Sequence, residues 1–250
     1  MSDFSHYKII SGKLKKRFLL RKPNLNEVSD QFLSLSRDLK DFKSYSGYCC
    51  LAVARCEHSM ANTSAEVNAL LDSARLLRDG NQLNGAISAY RHAIRAADPS
   101  IVTSILAELG NMYKSHNRYI EASDVFIEGQ LYKQAIDCYL ICSQWEKALE
   151  CFAKISVDNM TETDFVTLFL LKLYLNDPNK SEFDLPIIDC HSENDELMDL
   201  NIILESLLIW TQTKSEDKNQ MSDSIAVQLF PKLNGYQNQL LYLILTEKNE

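Results

Sequence analysis

Glycine and proline are scarce in this sequence. Its 250 residues include seven Gly and five Pro, where average usage of the two together is about 12%. These residues supply the backbone conformations of tight turns, and a β-sandwich or barrel needs such a turn about every ten residues. The scarcity disfavours an all-β fold and most βαβ arrangements, and it predicts an all-α chain.

Long apolar runs are also missing. The stretches Leu168–Leu175 and Leu200–Trp210 are interrupted by Lys172 and Glu205, and neither approaches the length of a membrane-spanning helix. The first six residues are polar and contain no apolar signal core. Seven Cys, an odd number, in a chain without an export signal favour reduced thiols. We therefore expect an intracellular, cytoplasmic protein.

Signatures of catalysis and metal binding are absent too. The sequence has no G-x-S-x-G, no phosphate-binding Gly loop and no HExxH. Cys138 and Cys142 are i, i+4 neighbours with Cys151 or His116 as further ligands, but the short-gap pairs typical of zinc are missing. The histidines are scattered over positions that look exposed or in loops, namely His6, His58, His92, His116 and His191. We expect a non-enzymatic protein with buried thiols, no metal and no cofactor.

The net charge of −8 is unevenly distributed. The first 22 residues carry seven basic side chains and one acid, a net +6, so the other 228 sum to −14. Such an arm binds a partner or folds onto the chain's own acidic surface, and charge alone does not distinguish these two alternatives. Apolar residues between the charges favour protein over lipid or nucleic acid as the bound surface. The predicted binding residues of the arm are Lys13, Lys15, Lys16, Arg17, Phe18, Arg21 and Lys22.

An internal repeat occupies the middle of the chain. Its pattern is an aromatic residue or Leu, then Ala three positions later, then an aromatic residue four positions after that. The four copies are Leu83/Ala86/Tyr90, Tyr119/Ala122/Phe126, Tyr132/Ala135/Tyr139 and Trp145/Ala148/Phe152. This spacing puts the three residues on one helix face, where Ala allows close approach of a neighbouring helix. Stacked helical hairpins are predicted.

One unit of this repeat matches a tetratricopeptide repeat closely. The matching positions are Leu106, Leu109, Gly110, Tyr113, Ala122, Phe126 and Gly129. After Gly129 the Ala-to-Ala spacing drops from 36 residues to 13, twice, as in the SNAP-like branch of such folds. We predict about 11 to 12 helices in total.

Apolar periodicity predicts further helices. Before the repeat, the predicted helices are Glu27–Phe42, ending at Ser44–Gly47, then Tyr48–Met60, and 65–78 with a Thr63/Glu66 capping box. Asp98-Pro99 caps the helix that follows it, and Thr161 with Asp164 starts a helix to about Leu175. Three more helices are predicted at about 197–213, 223–230 and 236–246.

These patterns divide the chain into four parts. They are a basic arm over 1–26, a helical stack over 27–175, an acidic loop over 176–199 and C-terminal helices over 200–250 that pack on the same domain. The acidic loop carries eight acids and two Pro, which predicts partial disorder.

Both ends of the chain resemble a known family. The run from His6 to Asn24, the later Leu51-Ala52-Val53-Ala54-Arg55-Cys56, and the C-terminal segments 229–233 and 237–241 are similar to the family of the 40-kilodalton huntingtin-associated protein, also called factor VIII intron 22 protein. Longer members carry an Ala- and Pro-rich insertion where this chain has only the acidic stretch 176–199.

The resemblance implies a helical scaffold that binds huntingtin between its HEAT-repeat arms as a 1:1 complex and stabilises it. It also implies a link to a Rab-type GTPase and to the early endosome and the nucleus. On this basis the C-terminal contacts are expected at Leu229, Phe230, Pro231 and Leu233. The alternative is a SNAP-like vesicle adaptor whose basic arm binds membrane or a fusion complex.

Overall fold

A computed structural model of the chain describes residues 3–14, 24–175, 195–213 and 218–247. Within these ranges every regular element is a helix and there is no β-strand, which confirms the predicted all-α class. The chain divides into two compact units, Met1–Leu131 and Tyr132–Glu250. This division falls inside the predicted stack over 27–175, two residues after Gly129, where the sequence spacing changes. Most of the predicted acidic loop, residues 176–194, lies outside the described residues.

The described part of the first unit contains seven α-helices, and each packs against the next one in sequence. They are α1 (Asp3–Leu14), α2 (Leu25–Asp38), α3 (Lys43–Ser59), α4 (Thr63–Asp79), α5 (Leu83–Ala96), α6 (Pro99–Ser115) and α7 (Tyr119–Glu128).

The described part of the second unit contains six α-helices and two short 3-10 helices. They are α8 (Tyr132–Ile141), α9 (Trp145–Phe152), α10 (Glu162–Leu175), α11 (Asp195–Gln212), α12 (Lys218–Leu229) and α13 (Gly235–Glu247), with 3-10 turns at Val157–Asn159 and Phe230–Lys232. Here α8 packs on α9, α9 on α10, α10 on α13, and α11 on α12. The described ranges thus hold thirteen α-helices, and α1 lies in the segment predicted as an arm.

Five helix ends share one type of turn. In each, a single residue after the helix adopts a left-handed conformation, and these residues are Ala61, Asn81, Asn117, Gln130 and Ser143. The two backbone hydrogen bonds of a Schellman motif close each turn, as in Asn81 N to Arg78 O at 2.9 Å and Gln82 N to Leu77 O at 2.8 Å. Glycine is the usual residue at this position, yet none of the seven glycines of this chain has a positive φ.

The turns and the sequence repeat are in phase. Four of the left-handed residues, Asn81, Asn117, Gln130 and Ser143, lie five positions before the repeat alanines Ala86, Ala122, Ala135 and Ala148. Each of these alanines is fully buried. The repeat therefore extends back through the preceding turn, which sets the face that the next helix presents to its neighbour.

Glycine serves close helix packing instead of turn geometry. Gly110 of α6 lies against the ring of Phe126 of α7, where an added Cβ would collide with the ring. Gly47 of α3 lies against Leu77 of α4, with only 2.8 Å between an added Cβ and Leu77 Cγ. At both positions a hydrogen atom is the only side chain that fits.

Glu108 of α6 connects three helices of the first unit. Its Oε1 accepts hydrogen bonds from Arg75 Nε of α4 at 2.8 Å and from Tyr90 Oη of α5 at 2.7 Å, and its Oε2 accepts one from Arg75 Nη2 at 2.8 Å. The guanidinium of Arg75 lowers the pKa of Glu108, although burial opposes this effect. Burial, reinforced by Glu108, raises the pKa of Tyr90. The repeat tyrosine thus places its ring in the core and its hydroxyl on this carboxylate.

Polar side chains fix the second unit as well. Thr161 and Asp164 form a capping box at the predicted start of α10, since Thr161 N donates to Asp164 Oδ2 at 2.8 Å and Asp164 N to Thr161 Oγ1 at 3.3 Å. Gln237 of α13 is buried and its Nε2 donates to Thr167 Oγ1 of α10 at 3.0 Å.

In the first unit, the predicted cap at Asp98 is also confirmed, because its side chain accepts a hydrogen bond from Ser100 N at 2.9 Å.

Two predictions about helix ends were wrong. The predicted helix Glu27–Phe42 ends at Asp38, and α3 begins at Lys43, so the Ser44–Gly47 stretch is helical instead of a terminator. Small residues are needed here because α3 packs closely on α2 and α4. The Thr63/Glu66 capping box does not form, because α4 begins one residue earlier than such a box requires, with Asn62 at its N-cap. The Glu66 carboxylate contacts His58 instead.

We predict that Gly110→Ala destabilises the protein. An Ala usually stabilises a helix interior relative to Gly, but here the methyl group must displace Phe126, and such overpacking costs about 1–3 kcal/mol. Gly12→Ala in α1 is the matched control, because nothing lies within 4 Å of an added Cβ, and it should leave the free energy of unfolding unchanged or raise it by up to about 1 kcal/mol. Urea unfolding of both variants measures the difference, and equal effects would contradict the packing role of Gly110.

Stability should depend on the ionisation of Glu108. Because its pKa lies below the ordinary value of 4.5 in the folded state, its charge stabilises the fold above that pH, and the contribution is lost as the pH falls through the folded pKa. We expect Glu108→Gln to cost about 1–2 kcal/mol at pH 7 and much less near pH 3. The control is Glu128→Gln. Because Glu128 forms an exposed ion pair with Arg91, we expect this change to cost less than about 0.5 kcal/mol. A pH-independent cost for Glu108→Gln would contradict this role.

Candidate binding groove

The described part of the basic arm lies on its own chain. Tyr7 of α1 packs on Phe32 of α2 with ring centroids 5.2 Å apart, and Ile10 packs on the buried cluster of Leu35, Leu39 and Cys49. Lys13 Nζ lies 3.2 Å from Glu27 Oε1 and donates to Gln31 Oε1 at 2.8 Å. The exposed ion pair contributes little, so apolar burial is what holds α1. The other predicted residues of the arm, Lys15, Lys16, Arg17, Phe18, Arg21 and Lys22, lie outside the described residues.

The four predicted C-terminal contacts divide into two classes. Leu229 is fully buried and Leu233 is buried, so both side chains belong to the core of the second unit. Phe230 is 38% exposed and Pro231 is exposed. Of this set, only Phe230 and Pro231 present side chains to solvent.

The repeat residues are packing residues. Three first-position residues, Leu83, Tyr119 and Tyr132, are half-buried. The buried ones are Ala86, Tyr90, Gly110, Tyr113, Ala122, Phe126, Ala135, Tyr139, Trp145, Ala148 and Phe152. They pack helices against one another, and little of their side-chain surface is accessible to a ligand.

An open groove of about 910 Å³ lies on the first unit between α3, α4 and α5. This volume is within the range of about 300–1,000 Å³ that is common for ligand sites. Its floor is apolar and consists mainly of small residues. Ala54, Ala89 and Leu70 are buried there, and Gly85 lies beside them. The floor is low because small residues occupy it, so the groove is a product of the same close packing that forms the core.

Basic side chains stand on two sides of this groove. Arg55 and His58 come from α3, and His92 and Arg95 come from α5. All four are exposed. Neither guanidinium forms an ion pair with an acidic residue in the described part of the chain. Both are therefore available to a ligand.

Glu66 of α4 is the acidic residue among those that line the groove. Both of its carboxylate oxygens lie 3.0 Å from His58 Nδ1. Because a carboxylate only accepts hydrogen bonds, this geometry assigns the hydrogen to Nδ1 and leaves Nε2 directed away from Glu66. Glu66 is thus partly satisfied within the groove, while Arg55 and Arg95 are not.

The groove was not predicted from the sequence. In the sequence His58 and His92 are two of five scattered histidines, and Arg55 belongs to a segment similar to a known family. The signal that could have found the groove is a shared spacing, since Arg55 and His58 are three positions apart, as are His92 and Arg95. That spacing puts each pair on one helix face. Which helices face each other is a tertiary property that the spacing does not contain.

Five of the six thiols that the structure describes lie in the core. Cys49, Cys50, Cys56, Cys138 and Cys151 are buried, and Cys142 is half-buried. Burial raises the pKa of Cys49 to about 11, which keeps it a thiol at neutral pH. Among the described residues no three His, Cys, Asp or Glu side chains are grouped to hold a metal ion. In the same residues no helix combines the length and the apolar character needed to cross a membrane.

Two curated proteins are similar to this chain. They are the 40-kDa huntingtin-associated proteins of Rattus norvegicus and Mus musculus, and each is 40% identical over 114 residues, which is 43% of this chain and 30% of the relative. The match therefore spans less than a third of each relative's length. No protein-family model matches the chain. Over these 114 residues the chain is therefore similar to the 40-kDa huntingtin-associated protein of both species.

Proposed function

We propose that this chain is a non-enzymatic interaction protein that associates with huntingtin. The similarity to two relatives named for association with huntingtin is the observation that carries the proposal. Because the match spans 30% of those relatives, the partner is a proposal for this chain.

The fold supports a binding role. Helical hairpins packed through buried repeat residues are typical of repeat proteins, which commonly expose extended binding surfaces. Among the described residues, candidate surfaces include the groove of the first unit and the exposed side chains Phe230 and Pro231 of the second. In the sequence, residues 13–22 of the arm carry six basic side chains and no acid.

The finer role follows from the resemblance. We propose that the chain forms a 1:1 complex between the HEAT-repeat arms of huntingtin and stabilises it. A role at the early endosome through a Rab-type GTPase is part of the same proposal, and it rests on family analogy.

Co-expression with huntingtin from the same organism tests the proposal. We expect the two chains to elute together in size-exclusion chromatography at moderate salt. Separate elution would contradict it, and if the purified chain then floated with anionic liposomes, the result would favour the SNAP-like vesicle adaptor.

The role of the arm is tested by charge reversal. We expect the combined change of Lys13, Lys15, Lys16 and Arg17 to Glu to slow complex formation about tenfold or more at low salt, because long-range attraction accelerates association. The matched control reverses Arg37, Lys40, Lys43 and Lys154, which are exposed cations outside the arm. Stopped-flow association kinetics measure both. Equal slowing by the two sets would show that only net charge matters.

A further inference from the structure

We propose that the groove between α3, α4 and α5 binds an extended acidic segment of a partner protein. The groove is defined by Arg55 and His58 on one side, His92 and Arg95 on the other, Glu66, and a floor of small apolar residues. The proposal concerns a site on this chain and does not depend on the identity of the whole partner.

Charge complementarity is the first argument. Arg55 and Arg95 have no acidic partner among the described residues, whereas Arg75, Arg91 and Arg118 elsewhere in the first unit each pair with a Glu. The chain as a whole carries −8, yet both unpaired guanidinium groups line one groove. A guanidinium binds a carboxylate through two parallel hydrogen bonds. Two carboxylates of one segment, one near each helix, would satisfy both.

The floor of the groove favours a peptide. Leu51, Leu70 and Ala89 present apolar surface between the charged sides, and this surface suits the alkyl parts of a peptide. Glu66 also fits, because a carboxylate oxygen can accept a hydrogen bond from a peptide N–H. A polyphosphate chain offers no such donor, so Glu66 would repel it.

Nucleic acid fits the groove less well. Single-stranded nucleic acids are held by a row of cations and by aromatic rings on which bases stack. The groove contains no Phe, Tyr or Trp, and the acidic chain repels a polyanion of high charge density. A short segment with a few carboxylates avoids this repulsion.

Fluorescence anisotropy of the full chain tests the inference directly. The probe is a fluorescein-labelled peptide of six Asp-Ala repeats, and the control peptide has Asn in place of Asp. We expect the Asp peptide to bind at least about tenfold more tightly than the Asn peptide, and its binding to weaken when NaCl rises from about 50 to about 300 mM. The probe contains no part of huntingtin, so its outcome is independent of the co-elution experiment.

Three variants locate the site. We expect Arg55→Gln with Arg95→Gln to weaken binding of the Asp peptide about tenfold or more, and Ser88→Trp to weaken it by filling the groove without changing its charge. Ser88 is exposed on the groove side of α5, so this change spares the core. Arg37→Gln, an exposed arginine of α2 outside the groove, is the matched control and should have no effect. Circular dichroism checks that each variant folds.

The opposite results would overturn the inference. These are equal affinity for the Asp and Asn peptides, equal loss from Arg37→Gln, or full binding by Ser88→Trp. Tighter binding of a 12-nucleotide uridine RNA than of the Asp peptide would also overturn it, because the groove would then be a nucleic-acid site.

Discussion

The first unit depends on the close approach of helices at positions where the side chain is a hydrogen atom or a methyl group. Gly47 against Leu77 and Gly110 against Phe126 leave no room for a larger residue, and Ala86 and Ala122 are fully buried on the repeat face. At Gly47 and Gly110 a large side chain of the opposing helix fills the space, so each of these glycines has a large counterpart. This pairing lets two helices share one layer of side chains, and it fixes how they cross.

The same constraint shapes the surface. Where small residues such as Gly85 and Ala89 line the surface between helices, no long side chain fills the space, and a groove remains. The long basic side chains of Arg55 of α3 and Arg95 of α5 stand at its sides. The positions of small and large side chains therefore determine both the core packing and the groove. A change that enlarges a floor residue would alter both packing and binding.

Much of the fold could be predicted from the sequence because the informative signals are local. The caps at Asp98 and Thr161 involve residues two or three positions apart, and the repeat face follows from helical spacing. The errors arose where tertiary packing decided. Gly47 resembles a helix terminator in sequence but is a contact with Leu77 in space, and Glu66 resembles a capping residue but contacts His58. The groove was missed for the same reason, since its two basic pairs come from helices about 35 residues apart in sequence.

The five left-handed turns fix the rotational phase of the helices that follow them. Each turn has the same length and closes with the same two hydrogen bonds, so it fixes the rotation of the next helix about its own axis. One extra residue beside Asn117 would rotate α7 by about 100°, the angle per residue of an α-helix. Ala122 would then leave the interface with α6, and the ring of Phe126 would lose its place on Gly110. In this architecture a substitution changes one contact, whereas an insertion in a turn changes the phase of an entire helix.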